Sequence, residues 1–472
     1  MPLDLILRQV IYTHVILSND AITHSCGVAG IFSPNPAAIP EMLFYALFAQ
    51  QHRGQESAGI AYRKDGKTVA YKDLGMVSSV LNKYLNKPRE SNAGIGHVRY
   101  STYGASNLEN VQPIVAVCNK GEIALAHNGN ISNTAELKER LFADGSIFQS
   151  TSDTELMLHL ISRSRQRDFY DSLTETLQQL QGAYSLSMLH NDSLLAVRDP
   201  LGFRPLYRGE KNGTTVFASE TCGLDILNIK NYRPVEPGEM VVCQKEGTYT
   251  KRFAHSDKKH HCIFELIYFA RPDSMVFEES VHQTRERMGA AIAEEDTSAG
   301  DIVVPIPDSG NIAALGYAKR SGLPFEMALT RNHYAGRSFI LPTTAQRELA
   351  VRMKLHPVKS AINGRRVIVI DDSLVRGTTS SILVKMLREA GAKEIHLRLS
   401  SPELKYPCYY GIDIPTREEL ISNHKSPEEI ARLIGADSVR FLTMEQLATC
   451  VSHPEDYCYA CFNGNYPQWE QV

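Results

Sequence analysis

The sequence lacks several features that would assign it at once to a broad class. No apolar run approaches the length of a membrane span, so nothing predicts a membrane protein. Neither sign of charge dominates, because 50 Lys and Arg against 53 Asp and Glu leave a formal net charge of −3. General nucleic-acid binding is therefore not expected. Nine cysteines in 472 residues are too few for a disulfide scaffold. These exclusions leave a globular chain long enough for two or three domains.

The first 25 residues also lack the pattern of a secretory signal peptide. Asp4 and His14 interrupt the apolar stretch, and no Ala-x-Ala site precedes Cys26. We therefore expect a cytoplasmic protein. In a reducing compartment the Cys-x2-Cys spacing of Cys458 and Cys461 indicates metal or redox chemistry.

The most informative stretch covers residues 365–380. Four β-branched residues predict a strand buried on both faces of a parallel sheet, and Asp371 and Asp372 follow at its carboxyl end. Residues 377–380, Gly-Thr-Thr-Ser, then open a helix. Such a loop suits a phosphate monoester, and adjacent carboxylates suit ribose hydroxyls and Mg²⁺. The alternative is an ordinary strand-turn-helix whose acids cap the helix.

This loop differs from a Walker A loop, because the one Gly-Lys-Thr, at 66–68, has Ala61 where the first glycine should stand. It resembles instead the phosphoribosyl pyrophosphate (PRPP) loop of type I phosphoribosyltransferases. Clustered cations between 331 and 354 ordinarily form a solvated face, but the resemblance implies a loop that closes over PRPP. It implies a PRPP site made of Asp371, Asp372, Ser373, Arg376, Gly377, Thr378, Thr379, Ser380 and Arg337. It also implies one Mg²⁺ per subunit, held by Ser309, Asp371 and Asp372.

The amino-terminal half carries five short motifs in order. They are Cys26-Gly-Val, Arg53-Gly-Gln-Glu-Ser, Gly96-His-x-Arg-x-Ser-Thr, His127-Asn-Gly and Ser152-Asp-Thr-Glu. Taken singly, each has an ordinary interpretation as a buried thiol, a tight turn or a surface charge. In this order they resemble the glutaminase domain of the class II amidotransferases, which are N-terminal nucleophile hydrolases.

The resemblance implies that Cys26 is the catalytic nucleophile. A cysteine with a free α-amine has its own base, since that amine titrates near pH ~8. Cys26 must then become the first residue, and the next methionine after Met1 is Met42. We therefore expect removal of a propeptide, residues 1–25, and the resemblance implies that this removal is autocatalytic.

The other motif residues are implied to bind glutamine. Arg99 would bind the α-carboxylate through its planar fork and Asp153 the α-ammonium. Asn128 and the Gly129 N–H would form the oxyanion hole. Arg53 either contributes to glutamine binding or only orders the loop over the nucleophile.

Four cysteines of the second half form a further candidate site. An isolated cysteine in apolar surroundings is usually inert, whereas four thiolates suit a [4Fe–4S] cluster or tetrahedral zinc, between which spacing does not choose. The iron–sulfur branch of the family implies one [4Fe–4S] cluster per subunit, with a structural role. Its ligands would be Cys262, Cys408, Cys458 and Cys461.

Together the two halves resemble the iron–sulfur branch of the glutamine-dependent PRPP amidotransferases. The implied fold, mixed α/β and α+β, is an N-terminal nucleophile hydrolase αββα sandwich over 26–255, followed over 256–472 by a type I phosphoribosyltransferase α/β domain with a cluster-binding segment. The implied reaction aminates PRPP to 5-phosphoribosylamine, releasing glutamate and diphosphate, and begins de novo purine synthesis. A homotetramer inhibited by purine nucleotides is also implied, with no nucleic-acid or membrane partner.

The alternative from another class is a catalytically inactive nucleotide sensor on a phosphoribosyltransferase fold. Such a protein would keep the phosphate loop but would not need Cys26, Arg99, Asn128 and Asp153 together. An amidotransferase with another acceptor is disfavoured by the acid-pair loop.

Overall fold

The computed structural model describes residues 26–85, 89–100, 107–334 and 344–468, except the side chains of 344–347. The expected propeptide 1–25 and Arg337 lie outside the described residues. Within these ranges no helix combines the length and apolar character needed to cross a membrane.

The first half of the described chain forms two antiparallel sheets. The strands are β1 (Cys26–Ala37), β2 (Ser57–Lys64), β3 (Lys67–Leu74), β4 (Ser91–Arg99), β5 (Ile114–Cys118), β6 (Gly121–Ile131), β7 (Gly182–His190), β8 (Ser193–Arg198), β9 (Tyr207–Lys211), β10 (Thr214–Ala218), β11 (Tyr232–Pro234), β12 (Glu239–Gln244) and β13 (Gly247–Arg252). One sheet has the order β11-β9-β10-β1-β4-β2-β3, and the other has the order β13-β12-β8-β7-β6-β5. Thus β1 lies at the centre of one sheet and β6 near the edge of the other.

Helices cover the outer faces of these sheets. They are α1 (Ile39–Ala49), α2 (Val77–Leu81), α3 (Thr134–Ala143), α4 (Asp153–Arg163), α5 (Phe169–Gln179) and α6 (Cys222–Asp225). Side chains alternate along β1, so Ala29 and Ile31 pack with α1, whereas Val28 and Phe32 pack between the sheets. The other sheet packs its outer face on α3, α4 and α5. The predicted αββα sandwich is confirmed.

The second half has short strands and longer helices around a parallel sheet. The strands are β14 (His261–Cys262), β15 (Met275–Val276), β16 (Glu279–Ser280), β17 (Ile302–Pro305), β18 (Leu329–Arg331), β19 (Leu355–Pro357), β20 (Arg366–Asp371), β21 (Glu394–Leu399), β22 (Ser438–Phe441) and β23 (Tyr457–Cys458). The helices are α7 (Val281–Glu294), α8 (Asn311–Ser321), α9 (Thr344–Lys354), α10 (Lys359–Ile362), α11 (Thr378–Glu389), α12 (Pro427–Ile434), α13 (Met444–Thr449) and α14 (Ala460–Asn463). A π-helix, Glu265–Phe269, precedes α7.

The parallel sheet has the order β17-β20-β21-β22 and is covered on both faces. Ile368 and Ile370 pack against α7 and α8, whereas Val367 and Val369 pack against α11 and α12. This two-sided burial explains the continuous apolar run in β20 and confirms the predicted α/β architecture. The acid pair stands at the carboxyl end of β20, where α11 begins after a short loop.

The two halves meet along a seam at the four cysteines. β14 pairs in parallel with β23, which places Cys262 opposite Cys458. Phe203 of the sandwich stacks on Tyr410, with ring centroids 4.1 Å apart. The domain boundary predicted after residue 255 falls between β13 and β14.

Candidate active site

The cysteine predicted as nucleophile occupies the first position of β1. Cys26 is buried and lies opposite Arg99 of β4 in the sheet register. Its N–H donates to the Asn128 Oδ1 at 3.4 Å, and its carbonyl oxygen accepts from the Arg53 Nε at 2.8 Å. Sheet pairing and two side chains therefore fix both polar groups of its backbone.

Burial raises the pKa of the Cys26 thiol to about 12. A hydrogen bond from the Tyr100 backbone and the positive charge of Arg99 lower it, whereas the carboxylates of Asp153 and Glu56 raise it. Because burial dominates, little thiolate forms unaided at neutral pH, and catalysis by this residue needs an adjacent base.

The His-Asn-Gly motif lies on β6, where it faces Cys26 across the sandwich. The Asn128 Nδ2 donates to the Ser219 Oγ at 3.3 Å, and the same hydroxyl accepts from the Val28 N–H at 3.0 Å. Gly129 has φ of 151°, and an added Cβ would lie 2.0 Å from the carbonyl oxygen of Ala183. The position therefore requires glycine. Sequence reasoning missed Ser219, because no motif surrounds it.

The two residues predicted to hold the ends of glutamine lie close to the thiol, since both influence its pKa. The Arg99 Nη1 is 3.3 Å from the Glu56 Oε1. Asp153 begins α4, and its Oδ2 accepts from the Ile131 N–H at 3.1 Å. A cation and an anion therefore stand near one buried thiol, an arrangement complementary to a zwitterionic amino acid.

Arg53 contacts the backbone of Cys26 through its Nε. Its guanidinium is fully buried, binds the carboxylates of Glu220 and Glu265, and lies 4.4 Å from the Phe269 ring centroid. Arg53 thus contacts both Cys26 and the second half of the chain.

The acid pair forms a second candidate site. The Asp371 Oδ1 accepts from the Ser309 Oγ at 3.2 Å and from the Asp372 N–H at 2.9 Å. The Ser373 Oγ donates to the Asp372 Oδ2 at 2.6 Å. Among the described residues, no ion pair neutralises either carboxylate. Burial and the neighbouring Asp372 raise the pKa of Asp371 well above its usual value. Two crowded carboxylates and a hydroxyl are donors that suit Mg²⁺.

The loop after the acid pair leads into α11 through Gly377, whose φ of 74° is left-handed. Thr378 and Thr379 are exposed at the first turn, and Ser380 is buried. Hydroxyls and free N–H groups thus collect at the positive end of a helix. The Arg376 side chain instead pairs with Glu419, at 2.6 Å.

The four predicted cysteine ligands converge at the seam, and none forms a disulfide. Burial and the nearby thiols of Cys408, Cys458 and Cys262 raise the pKa of Cys461 well above its usual value. The Cys408 Sγ accepts N–H groups of Tyr410 and Ile412, both at 3.4 Å. In the described ranges, no three His, Cys, Asp or Glu side chains are arranged to hold a single metal ion.

Fold and sites define a glutamine amidotransferase sandwich joined to a phosphoribosyltransferase-type sheet. A family model described as a glutamine amidotransferase domain matches residues 97–225. The chain is 47% identical over 445 residues to chloroplastic amidophosphoribosyltransferase 1 of Arabidopsis thaliana, covering 94% of this chain and 78% of that protein. It is 42% identical to the amidophosphoribosyltransferase of Methanothermobacter thermautotrophicus, covering 96% of each.

A solved structure agrees with these relatives. The glutamine PRPP amidotransferase of B. subtilis, complexed with ADP and GMP, superposes with a TM-score of 0.87 at 43% identity, covering 94% of this chain and 98% of that one. The protein belongs to the amidophosphoribosyltransferase family.

Proposed function

We propose that this protein is an amidophosphoribosyltransferase, which uses glutamine to aminate PRPP and releases glutamate and diphosphate. The product is 5-phosphoribosylamine, at the first committed step of purine synthesis. The observation that carries the proposal is the combination, in one chain, of the buried Cys26 site with the acid-pair loop. A nucleotide sensor would need only the loop.

Glutamine hydrolysis is assigned to the sandwich. After removal of residues 1–25, the α-amine of Cys26 accepts the thiol proton, and the thiolate attacks the glutamine amide. One N–H of the Asn128 Nδ2 is engaged by Ser219, which leaves the other, with the Gly129 N–H, for the oxyanion. Arg99 binds the α-carboxylate and Asp153 the α-ammonium. The tetrahedral intermediate then breaks its C–N bond and expels ammonia, which takes the proton held by the α-amine. Water releases glutamate from the resulting thioester.

Ammonia transfer is assigned to the parallel sheet. The N–H groups and hydroxyls of Ser373 and 376–380 bind the 5′-phosphate, and Asp371 and Asp372 bind the ribose hydroxyls. A Mg²⁺ held by this pair and Ser309 would supply positive charge against the departing diphosphate. Arg337 is proposed to contact the diphosphate as its loop closes. Displacement at C1 needs charge neutralisation more than a strong base.

The four cysteines are proposed to hold a [4Fe–4S] cluster. A zinc ion bonds each sulfur at about 2.3 Å, which requires a tight group of thiolates, whereas a cluster spreads four ligands over separate irons. The N–H donors to the Cys408 Sγ suit a thiolate ligand, and the family resemblance favours the cluster over zinc. Since ammonia chemistry needs no electron, the role proposed is structural.

The remaining proposals concern assembly and control. The B. subtilis relative was solved in complex with ADP and GMP, which supports the proposal that purine nucleotides bind this enzyme, and the family resemblance implies that they inhibit it. A cytoplasmic homotetramer is proposed from the family resemblance.

The test is glutamate release by anaerobically purified protein, with and without PRPP and Mg²⁺. PRPP-stimulated release together with diphosphate formation is expected. A Cys26→Ser variant should lose the glutamine reaction yet still form diphosphate from PRPP and ammonium chloride. Glutaminase that ignores PRPP, or protein lacking residues 1–25 that is inactive with both nitrogen sources, would contradict the proposal.

A further inference from the structure

A buried arginine connects the nucleophile to a carboxylate from the other half of the chain. Arg53 binds the Cys26 carbonyl through its Nε, at 2.8 Å. Its two terminal nitrogens make a bidentate contact with Glu265, from Nη1 to Oε2 at 2.9 Å and from Nη2 to Oε1 at 2.7 Å. Both side chains are completely buried. The planar guanidinium therefore aligns the Glu265 carboxylate on one edge with the Cys26 carbonyl on another.

Glu265 also binds a second arginine. The Arg204 Nη1 donates to the Glu265 Oε1 at 3.0 Å, and its Nε and Nη2 donate to the Tyr410 carbonyl oxygen at 3.1 and 2.9 Å. Arg204 is completely buried as well. One carboxylate thus sets the position of two guanidinium groups that belong to the sandwich.

The backbone that carries Glu265 is itself held in place. Glu265 begins the π-helix Glu265–Phe269, an element common at functional sites. The buried Arg285 of α7 donates from Nε to the Leu266 carbonyl and from Nη2 to the Ala270 carbonyl, both at 2.8 Å. The carboxylate therefore stands on a turn fixed at both ends.

Among the described residues, Arg53 forms an ion pair with one carboxylate besides Glu265. The remaining carboxylate on Arg53 is Glu220, which also accepts from His52, from the Arg271 N–H and from the Ser274 hydroxyl. Without Glu265 the guanidinium would keep one crowded partner, and the angle at which Nε meets the Cys26 carbonyl would be lost.

We propose that Glu265 is a positioning residue for glutamine hydrolysis, supplied to the sandwich by the second half of the chain. It acts through Arg53, which sets the backbone angle of Cys26 and so the direction of the thiol. The inference rests on the proposed function. It adds that the glutaminase site is incomplete without the π-helix.

The test compares two nitrogen sources in the full-length enzyme. Glu265→Gln keeps the size of the side chain but removes the charge. We expect its glutamine-dependent kcat to fall about 100-fold, as for a small misplacement of a reacting group, with KM for glutamine nearly unchanged. Diphosphate release from PRPP with ammonium chloride should stay near the wild-type rate, because that reaction bypasses Cys26. Glu265→Asp, which keeps the charge, should recover part of the loss.

Asp296→Asn is the matched control. Asp296 belongs to the second half, its side chain is 3% exposed, and it pairs with Arg398 and makes none of these contacts. Any change that Asp296→Asn causes in activity should be the same with glutamine and with ammonium chloride. If Glu265→Gln does not fold, Arg53→Lys is tested in its place. Lysine keeps the positive charge but lacks the planar guanidinium that binds the Glu265 carboxylate and the Cys26 carbonyl together, so glutamine-dependent kcat should fall in the same way.

Four outcomes overturn the inference. The first is a glutamine-dependent kcat of Glu265→Gln equal to that of the wild-type enzyme. The second is an equal loss of activity with glutamine and with ammonium chloride, which would indicate a general structural role. The third, which applies when Glu265→Gln is insoluble, is a glutamine-dependent kcat of Arg53→Lys equal to that of the wild-type enzyme. A wild-type protein inactive with both sources overturns the proposed function as well, so the two failures are distinguishable.

Discussion

Asn128 can serve Cys26 in only one of its two amide orientations. With Oδ1 toward the Cys26 nitrogen, an α-amine at that position donates to the amide and keeps its lone pair for the thiol proton. In the flipped orientation Nδ2 would occupy that lone pair. The hydrogen bond from Nδ2 to the Ser219 Oγ favours the productive orientation.

We therefore predict that Ser219→Ala lowers the glutamine-dependent kcat by about 10-fold, since a loosened donor costs less than one removed outright. Turnover with ammonium chloride should not change. Ser187→Ala is the matched control, because this buried hydroxyl has no hydrogen-bond partner among the described residues. Equal kcat values for the two variants would refute the orienting role of Ser219.

The acid pair should make stability depend on pH and on Mg²⁺. Since burial and Asp372 raise the pKa of Asp371 in the folded state, the unfolded chain releases its proton at lower pH. The contribution of Asp371 to the free energy of unfolding is thus fully present below its pKa in the unfolded chain. It is lost as the pH rises toward the pKa of Asp371 in the folded protein. At neutral pH, Asp371→Asn should raise the Tm measured in EDTA, remove the stabilisation by Mg²⁺ and abolish transfer from PRPP.

Asp301→Asn is the control variant, and it should change the Tm in the opposite direction. Hydrogen bonds from Arg366 lower the pKa of Asp301 to about 2, so its charge stabilises the fold at neutral pH. Its removal should lower the Tm slightly and leave the response to Mg²⁺ intact. A fall in Tm for Asp371→Asn in EDTA would contradict the repulsion argument.

At the scale of elements, the strands of the parallel sheet and the helices beside them were predictable because local pattern specifies them. The apolar runs at β17 and β20 are buried on both faces, and Gly322 ends α8 in the left-handed conformation that glycine favours. The π-helix was not predictable in this way. Glu265 finds its arginine partners 61 and 212 residues away, and no local period records such distant pairing.

Strand β6 illustrates how one glycine sets the spacing of two strands. At Gly129 an added Cβ would lie 2.0 Å from the Ala183 carbonyl of β7. We predict that Gly129→Ala costs at least about 2 kcal/mol of unfolding free energy in urea titration, because strands must separate to admit the methyl group. The shift would also move the Gly129 N–H, the proposed oxyanion donor, so glutamine turnover should disappear.

Gly213→Ala controls for backbone strain without a clash. Gly213 has a positive φ of 78°, and nothing lies within 4 Å of its ideal Cβ. This variant should lose about 1 kcal/mol and keep its activity. If Gly129→Ala is no less stable than Gly213→Ala, steric contact with β7 does not explain the glycine.

At the scale of the whole molecule, the cysteine seam joins the halves through backbone groups as well as thiols. The loop after Cys408 presents the Tyr409 carbonyl to the Asn130 Nδ2 at 2.9 Å and the Tyr410 carbonyl to Arg204. Asn130 is the neighbour of Gly129 on β6. The sequence motifs predicted each half separately, but the contacts across this seam depend on the folded arrangement of both.

A cluster held by these cysteines would therefore help to position β6 and the proposed glutaminase site. We predict that Cys408→Ser, purified anaerobically, loses iron, sulfide and visible absorption, has a lower Tm, and loses more activity with glutamine than with ammonium chloride. Cys243→Ser is the matched control, because this buried thiol packs in the apolar core between the two sheets of the sandwich. It should keep its metal content.

Zinc in place of iron in the wild-type protein would identify the four cysteines as a zinc site, and wild-type protein with neither metal would refute both the cluster and the zinc site. Equal loss with the two nitrogen sources would show that the seam supports the fold as a whole rather than β6 and its oxyanion donor.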